Sequence, residues 1–355
     1  MIGCAADTHL MKRVWKGRRD MDGDSFRAFG AMKDSLIQLG AKALILAGDT
    51  FNASAVDGPC LQAFTDLVDG LYAHSIPVYY IQGNHDRDVN VAVPEIQGAV
   101  SLHGKTIRID GMDVFGLDWM PREELQAAIT QVPPCDLLVI HCQMPHLMEY
   151  EAAADISLED IPAHVKNVLC GDTHVTDSTP MANGGFCISP GALHPCNIAQ
   201  GDVHGFYKVE AGPALSAEFH EIPSRKIARF EAMDEEGMAE VEAVLPRFVG
   251  EEDHMQPIVE IRHITQLSDR VQALVSKYGS LVKIFTKPSI AGKFMTSGML
   301  KEAQMSLDEL SLEGSLEDVV DPQQEDEAYN FIMSLLTSNK EATQEILERR
   351  MACAQ

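Results

Sequence analysis

The chain has 355 residues, of which 45% are apolar, a composition typical of an ordinary globular protein with more than one domain. It contains no apolar run long enough to cross a bilayer, so we expect no membrane span. Its formal net charge of −25 excludes nucleic-acid binding driven by overall charge, because phosphate repels such a chain at long range.

Five strand-like segments each run into residues that commonly bind metals. The segments are 2–6, 43–47, 78–81, 137–140 and 168–170. In the same order they lead into Asp7-Thr8-His9, Gly48-Asp49, Gly83-Asn84-His85-Asp86, His141 and Gly171-Asp172-Thr173-His174. Strand ends that emerge together from a sheet can converge on one point, and Asp, Asn and His offer oxygen and nitrogen ligands suited to Mn²⁺, Fe or Zn²⁺. The sequence therefore predicts a two-metal hydrolytic site.

Helices are predicted between these strands. Residues 24–39 carry apolar side chains at helical spacing, and Gly40 is placed to end that helix. Residues 61–71 repeat the pattern, and residues 206–209 are typical of a closing strand. We therefore interpret residues 1–222 as one α/β domain.

A smaller α/β unit is predicted for residues 223–290. Its candidate strands are 228–233, 258–264 and 281–286, and its candidate helices are 235–249 and 267–278. A unit of this size is only marginally stable alone, so we expect it to pack on the first domain as a cap.

An acidic linker and C-terminal helices are predicted for residues 291–355. Pro322 and its polar neighbours mark the linker. Residues 325–337 place Ala328, Phe331, Ile332, Leu335 and Leu336 on one helical face, and Ser338 with Glu341 forms a capping box for a last helix. This apolar face either packs on the chain's own domain or binds a partner.

Cysteine usage and the first residues bear on the cellular compartment. The eight cysteines form no C-x-x-C pair, which predicts buried, reduced thiols in a cytoplasmic protein. Met1 to Cys4 run directly into the first strand, so we expect no signal peptide.

The five groups of ligand-type residues resemble the pattern of the calcineurin-like metallophosphoesterase superfamily, which reads D-x-H, G-D, G-N-H-D/E, a lone His and G-H-x-H. The resemblance implies a four-layer α/β fold, a β-sandwich flanked by helices. It also implies two metal positions that share Asp49. One would be held by Asp7, His9, Asp49 and His174, and the other by Asp49, Asn84, His141 and the residue at position 172.

The same resemblance implies that His85 contacts the phosphate and assists the leaving oxygen. We interpret its neighbour Asp86 as the residue that fixes the tautomer of His85 or raises its pKa.

Asp172 stands where the family pattern has a histidine. A carboxylate adds negative charge and hardens the site, which favours two Mn²⁺ ions, with Mg²⁺ as the alternative, over Zn²⁺. The replacement of this histidine by Asp172 also leaves open whether the second metal position is fully occupied.

The order of the predicted segments resembles SbcD-type DNA repair nucleases of bacteria and phages. This resemblance implies a DNA exonuclease or endonuclease subunit, a homodimer, and an SbcC-like coiled-coil ATPase bound through the C-terminal helices. Lys12, Arg13 and Lys16 follow the first motif and surround Trp15. We interpret these three cations as contacts to the DNA backbone, with a solvated loop as the alternative.

Two other functions fit the sequence. A small-molecule or protein phosphatase would tolerate the acidic charge more readily than a nuclease. A binding scaffold would follow if Asp172 had weakened the second metal position.

Overall fold

A computed structural model describes residues 1–15, 21–53, 56–86, 98–148, 154–201, 203–212, 215–248, 255–279 and 282–288. Residues Met1–Pro288 form one unit. The predicted linker and C-terminal helices of residues 291–355 lie outside the described residues. No helix within the described ranges is both long and apolar enough to cross a bilayer.

Two six-stranded mixed sheets pack face to face. Across the first sheet the strands are β12 (Ser216–Glu221), β11 (Gly205–Glu210), β1 (Ile2–Ala5), β2 (Ala43–Ala47), β3 (Val78–Ile81) and β4 (Ala99–Ser101). Across the second they are β5 (Thr106–Ile109), β6 (Met112–Gly116), β7 (Leu137–His141), β8 (Val168–Gly171), β10 (Phe186–Pro190) and β9 (Thr176–Pro180). Strands β1 to β4 are parallel, as are β6, β7, β8 and β10, so each parallel group directs its carboxyl ends to one edge.

Side chains along the central strands alternate between two apolar layers. Ile45 of β2 and Val139 of β7 lie in the core shared by the two sheets. Leu44 and Leu46 of β2 face the other way, into the core under the helices. Because both faces are buried, these strands are nearly continuous apolar runs, which explains why the sequence reveals them.

Helices cover the outer faces of both sheets. Helices α1 (Asp24–Gln38) and α2 (Gly58–Tyr72) pack on the first sheet, and α3 (Arg122–Ile129) packs on the second. Gly40, with φ +64°, follows the end of α1 as predicted. The layers are therefore helix, sheet, sheet and helix, and the predicted four-layer fold class is confirmed.

A third sheet follows the sandwich. It contains the parallel strands β13 (Ile227–Ala232), β14 (Ile258–His263) and β15 (Lys283–Pro288), and α4 (Glu235–Phe248) and α5 (Ser268–Tyr278) pack on it. These elements match those predicted for the cap. The domain boundaries after residues 222 and 290 stay predictions.

A buried ion pair ties the approach to the third sheet to helix α1. Arg225 donates from Nε to Asp24 Oδ2 at 2.6 Å and from Nη2 to Oδ1 at 2.7 Å. Trp15 Nε1 donates to Asp24 Oδ2 at 2.8 Å, and Arg225 also donates to the Gln256 carbonyl. Asp24 and Arg225 are both 3% exposed, so this junction is shielded from water.

Candidate metal centre

The predicted ligands meet at the edge where the parallel strands of both sheets end. Asp7, Asp49 and Asn84 follow β1, β2 and β3 of the first sheet. His141 ends β7 and Asp172 follows β8 in the second sheet. Because the sheets pack face to face, their strand ends lie opposite one another, and the site is assembled from both.

Most of these ligand positions have a left-handed backbone. The values of φ are 46° at Asp7, 36° at His9, 48° at Asp49, 100° at Asp172 and 57° at His174. Non-glycine residues seldom adopt positive φ, and such strained positions cluster at functional sites. The backbone is therefore strained at these five positions, as expected for a functional site.

A first group of ligand atoms contains Asp7, His9 and Asp49. His9 Nε2 lies 3.6 Å from Asp49 Oδ2 and 2.8 Å from His174 Nε2. His174 Nε2 lies 3.9 Å from Asp7 Oδ1. The four side chains assigned to the first metal position therefore face one another.

A second group contains Asp49, His141 and Asp172. His141 Nε2 lies 3.5 Å from Asp49 Oδ2, 3.7 Å from Asp172 Oδ1 and 3.2 Å from Asn84 Oδ1. Asp49 belongs to both groups, and its Oδ2 faces an imidazole nitrogen of each. This geometry fits one carboxylate that bridges two ions.

Supporting hydrogen bonds orient the ligands. His141 Nδ1 donates to the Ala47 carbonyl at 2.9 Å, which orients the ring so that Nε2 faces the acids. The backbone N–H of Asp172 donates to both carboxylate oxygens of Asp7, at 3.0 and 3.1 Å. The backbone N–H of His85 donates to Asp49 Oδ1 at 2.9 Å. The Asp49 carboxylate is thus held by its second oxygen.

Electrostatics at the centre favour a bound cation. Burial raises the pKa of Asp7 to about 7, and neighbouring Asp49 adds to the effect. Burial would also raise the pKa of Asp49, but the hydrogen bond and charge of His141 hold it at about 2. Burial would lower the pKa of His141, but its hydrogen bond to Asp49 and the charge of Asp7 raise it to about 10. Buried carboxylates of this kind need a compensating positive charge.

The donor set fits divalent metal ions. Nδ1 of His9 is buried and has no hydrogen-bond partner among the described residues. Burial lowers the pKa of His9 and lowers that of His174 to about 4, which keeps both imidazoles neutral and able to coordinate. The His and Asp groups can therefore hold divalent ions.

His85 and Asp86 have different environments. His85 is exposed at the mouth of the site, its ring centroid 5.1 Å from that of His9, and its Nδ1 donates to the Asn52 carbonyl at 2.8 Å. Asp86 is 4% exposed and accepts the backbone N–H groups of Thr50, Phe51 and Gly83 at 2.9 to 3.0 Å. The contact to His85 Nδ1 thus comes from the Asn52 carbonyl, Asp86 holds the loop that follows Asp49, and a catalytic role for Asp86 stays a prediction.

The predicted DNA-contacting residues are only partly described. Lys12 and Arg13 are exposed, and Arg13 Nε lies 3.5 Å from Asp22 Oδ2. Trp15 is 4% exposed and packs in a small apolar cluster with Met21 and Ile258. Lys16 lies outside the described residues. Trp15 is thus a packing residue. The DNA contact by Lys12 and Arg13 stays a prediction.

Two polar residues beside the site were not identified from the sequence. Gln200 Nε2 lies 2.6 Å from His174 Nδ1, and Gln200 Oε1 accepts the backbone N–H of Cys196 at 2.6 Å. Both residues follow the Pro190-Gly191 turn, whose continuation pairs Ala192 with Ala6. These residues could have been found only by knowing that the chain returns to the first motif here, and the sequence pattern does not show that return.

The sequence also matches a known family. Residues 1–176 match the family described as Calcineurin-like phosphoesterase. This part of the chain is a calcineurin-like metallophosphoesterase domain. It ends two residues beyond His174, so it includes every predicted metal ligand and the exposed His85.

Curated relatives of this metallophosphoesterase domain include archaeal repair proteins. The DNA double-strand break repair protein Mre11 of Methanosarcina acetivorans is 27% identical over 185 residues, which cover 48% of this chain and 30% of that protein. The Mre11 protein of Sulfolobus acidocaldarius is 23% identical over 235 residues, which cover 62% of this chain and 60% of that protein. The chain thus spans less than two thirds of the length of either relative.

A solved structure also shows similarity. A dimetal phosphatase from Danio rerio aligns with a TM-score of 0.44 and 11% sequence identity, covering 62% of this chain and 98% of that one.

Proposed function

We propose that this chain is a two-metal phosphodiesterase that hydrolyses DNA, with Mn²⁺ as its preferred metal. The observation that carries the proposal is the pair of buried ligand groups that share Asp49, with exposed His85 at their mouth. Similarity to archaeal proteins named for double-strand break repair supports DNA as the substrate class.

In this proposal some residues of the site bind the metals and others contact the substrate. Two bound divalent ions would neutralise the phosphate oxygens and lower the pKa of a water molecule so that it attacks at neutral pH. His85 donates from Nδ1 to the Asn52 carbonyl, which orients the ring and leaves Nε2 for the phosphate or the leaving oxygen. Asp86 keeps the Asp49 loop in place through three backbone N–H groups.

A phosphatase is the second candidate. The net charge of −25 disfavours a long polyanionic substrate and is less of an obstacle to a small phosphate ester. A catalytically weakened scaffold is the third candidate, and the position of Asp172 Oδ1 3.7 Å from His141 Nε2 argues against it.

One assay separates the three functions. The purified chain with Mn²⁺ is incubated in parallel with labelled linear duplex, a chromogenic phosphodiester and a chromogenic phosphomonoester. A nuclease degrades the duplex and the diester. Preference for the monoester with intact duplex would identify a phosphatase, and metal binding without any hydrolysis would identify a scaffold.

Two variants separate metal binding from catalysis. Asp49→Ala should lose metal and activity together, because Asp49 belongs to both ligand groups. His85→Ala should keep its metals and lose about 10²–10⁴ in rate, the usual contribution of general acid–base assistance. Elemental analysis beside the nuclease assay measures both effects. A metal-free His85→Ala protein would contradict the assignment.

We also propose a homodimer and a coiled-coil ATPase partner that binds the apolar face of residues 325–337. This face follows an acidic linker, and a partner could supply the DNA affinity that the chain's charge opposes. Removing residues 323–355 should preserve diester hydrolysis but abolish co-purification with the ATPase and ATP-stimulated duplex degradation. If the shortened chain unfolds or still forms the complex, these residues belong to its own core.

A further inference from the structure

Cys196 lies at the metal centre beside two imidazoles. Its Sγ and a ring nitrogen from each of His9 and His174 all lie within 4.8 Å of one another. The chain reaches this position because Ala192 pairs with Ala6 and Leu193 N donates to the Asp7 carbonyl at 3.3 Å. The segment that carries the thiol therefore runs alongside the first ligand motif.

One side chain fixes the thiol relative to an imidazole. Gln200 accepts the backbone N–H of Cys196 through Oε1 and contacts His174 Nδ1 through Nε2, each at 2.6 Å. Cys196 Sγ donates a weak hydrogen bond to the His194 carbonyl at 3.6 Å. The sulfur is thus held at the site, and its weak contact leaves it able to bind a metal ion.

A separate observation points to a ligand at the same place. His9 is 3% exposed, and its Nδ1 finds no hydrogen-bond partner among the described residues. A buried polar atom without a partner carries a desolvation cost that a bound ion could offset. His9, which groups with Cys196 and His174, therefore has one ring nitrogen that faces His174 and another that is buried without a partner among the described residues.

Other thiols close to the ligands serve packing. Cys142 and Cys170 lie 3.9 Å apart and belong to the apolar core outside the second sheet. Cys187 Sγ contacts Met144 Sδ at 3.8 Å in the same core. Among the described residues, Cys196 is the thiol that groups with imidazoles as a candidate metal ligand.

We infer that Cys196 is a metal ligand in the half of the centre formed by His9 and His174, and that this half selects a softer ion than the half formed by Asp49, His141 and Asp172. A thiolate added to two imidazoles favours Zn²⁺, Co²⁺ or Fe²⁺ even beside the carboxylates of Asp7 and Asp49, whereas carboxylates with one imidazole suit Mn²⁺ or Mg²⁺. The Mn²⁺ preference of the proposed function would then belong to the half formed by Asp49, His141 and Asp172. On coordination the thiol loses its proton to solvent and the Sγ–metal bond forms. The inference rests on the metal centre of the proposed function and adds a chemical difference between its two positions.

Cobalt absorption and elemental analysis test the inference without an activity assay. The full chain loaded with Co²⁺ should show a sulfur-to-cobalt charge-transfer band, and Cys196→Ser should lose it. The matched control is Cys135→Ser, which removes a thiol packed in the core outside the second sheet and should keep the band. The Zn²⁺ affinity of Cys196→Ser should fall by at least roughly 10–100-fold. That is the usual loss when a residue that only supports a metal ligand is replaced.

X-ray absorption at the zinc edge of the wild-type chain gives the same answer without a substitution. Sulfur in the shell around zinc supports the inference. A wild-type chain that binds its metals without a sulfur ligand, or a band that persists in Cys196→Ser, overturns it. Those outcomes leave the proposed phosphodiesterase intact, whereas a sulfur-ligated metal in a chain that hydrolyses no phosphodiester would overturn the proposed function alone.

Discussion

Asp172 would set the metal preference of one half of the proposed metal centre. Its Oδ1 lies 3.7 Å from His141 Nε2, and burial, opposed by the charge of His141, raises its pKa. The oxygen donor adds a formal charge that an imidazole would not, which favours harder ions. The substitution Asp172→His should therefore raise Zn²⁺ affinity relative to Mn²⁺. Calorimetric titration of both ions into both proteins measures this, and identical profiles would contradict it.

Gly83 matters because the bridging carboxylate passes close to its backbone. A Cβ added at this position would lie 2.0 Å from Asp49 Oδ1 and 2.4 Å from its backbone nitrogen. Gly83→Ala should therefore displace Asp49, lose metal binding and cost about 1–3 kcal/mol of stability by overpacking. Metal content and a denaturant melt measure the two effects.

The control for this variant is Gly30→Ala in the middle of helix α1. Apart from its chain neighbours and the backbone of its own helix, nothing lies within 4 Å of a Cβ added there. It should keep the metals and gain about 0.5–1 kcal/mol, because glycine is unfavourable inside helices. A Gly83→Ala protein with full metal content would show that the loop shifts without moving the carboxylate.

The convergence of the candidate ligands was predictable because their types and their positions after successive strands carry the chemistry. Their surroundings were not, because contacts such as His85 with the Asn52 carbonyl depend on how loops from different strands meet. The approach of Cys196 to His174 likewise depends on how the loops meet, so the sequence did not predict it. The left-handed backbone at Asp7 and His9 also has no sequence signal, since neither residue is glycine.

At the scale of elements, the start of helix α2 depends on one side chain. Asp57 precedes the helix and accepts the backbone N–H of Cys60 at 2.9 Å. Hydrogen bonds from Cys60 hold the pKa of Asp57 below its usual value. Asp57→Ala should cost about 0.5–2 kcal/mol at neutral pH, the usual effect of losing an N-cap.

The pH dependence of this effect has a definite sign. Because the folded pKa of Asp57 is depressed, its stabilisation is present above the unfolded pKa and is lost as pH falls through the folded pKa. Denaturant melts of the two proteins should therefore converge in acid. The control Asp66→Ala, which removes only an exposed contact with Gln62 on the same helix, should cost about 0.2–0.5 kcal/mol.

Buried elements were predictable and polar edge strands were not. Helix α1 and strand β2 have apolar residues at a clear period, so their ranges match the structure within two residues. Strands β9 and β12 are polar and largely exposed, and they form because they pair with β10 and β11. That pairing supplies their hydrogen bonds, and a single sequence carries no pattern for it.

At the scale of the whole molecule, the Asp24–Arg225 pair should be a major stabilising contact. Arg225→Met would leave the buried carboxylate of Asp24 without its main countercharge, which typically costs about 3–5 kcal/mol. The matched control Arg27→Met removes an ion pair to the same carboxylate from a side chain that is 49% exposed, which should cost about 0–1 kcal/mol. Denaturant melts of both variants measure the difference, and equal costs would contradict the assigned importance of burial.

The assembly of the metal centre from both sheets has a consequence for the lifetime of the folded state. His9 and His174, whose rings touch, are 165 positions apart, so this contact closes a long loop and we expect it to form late in folding. Ions that bind such a contact should slow unfolding and leave the folding rate nearly unchanged. At 100 times its dissociation constant an ion adds about 2.7 kcal/mol, or roughly a 100-fold slower unfolding rate. Stopped-flow unfolding with Mn²⁺ and with a chelator would show whether the metals govern how long the protein stays folded rather than how fast it folds.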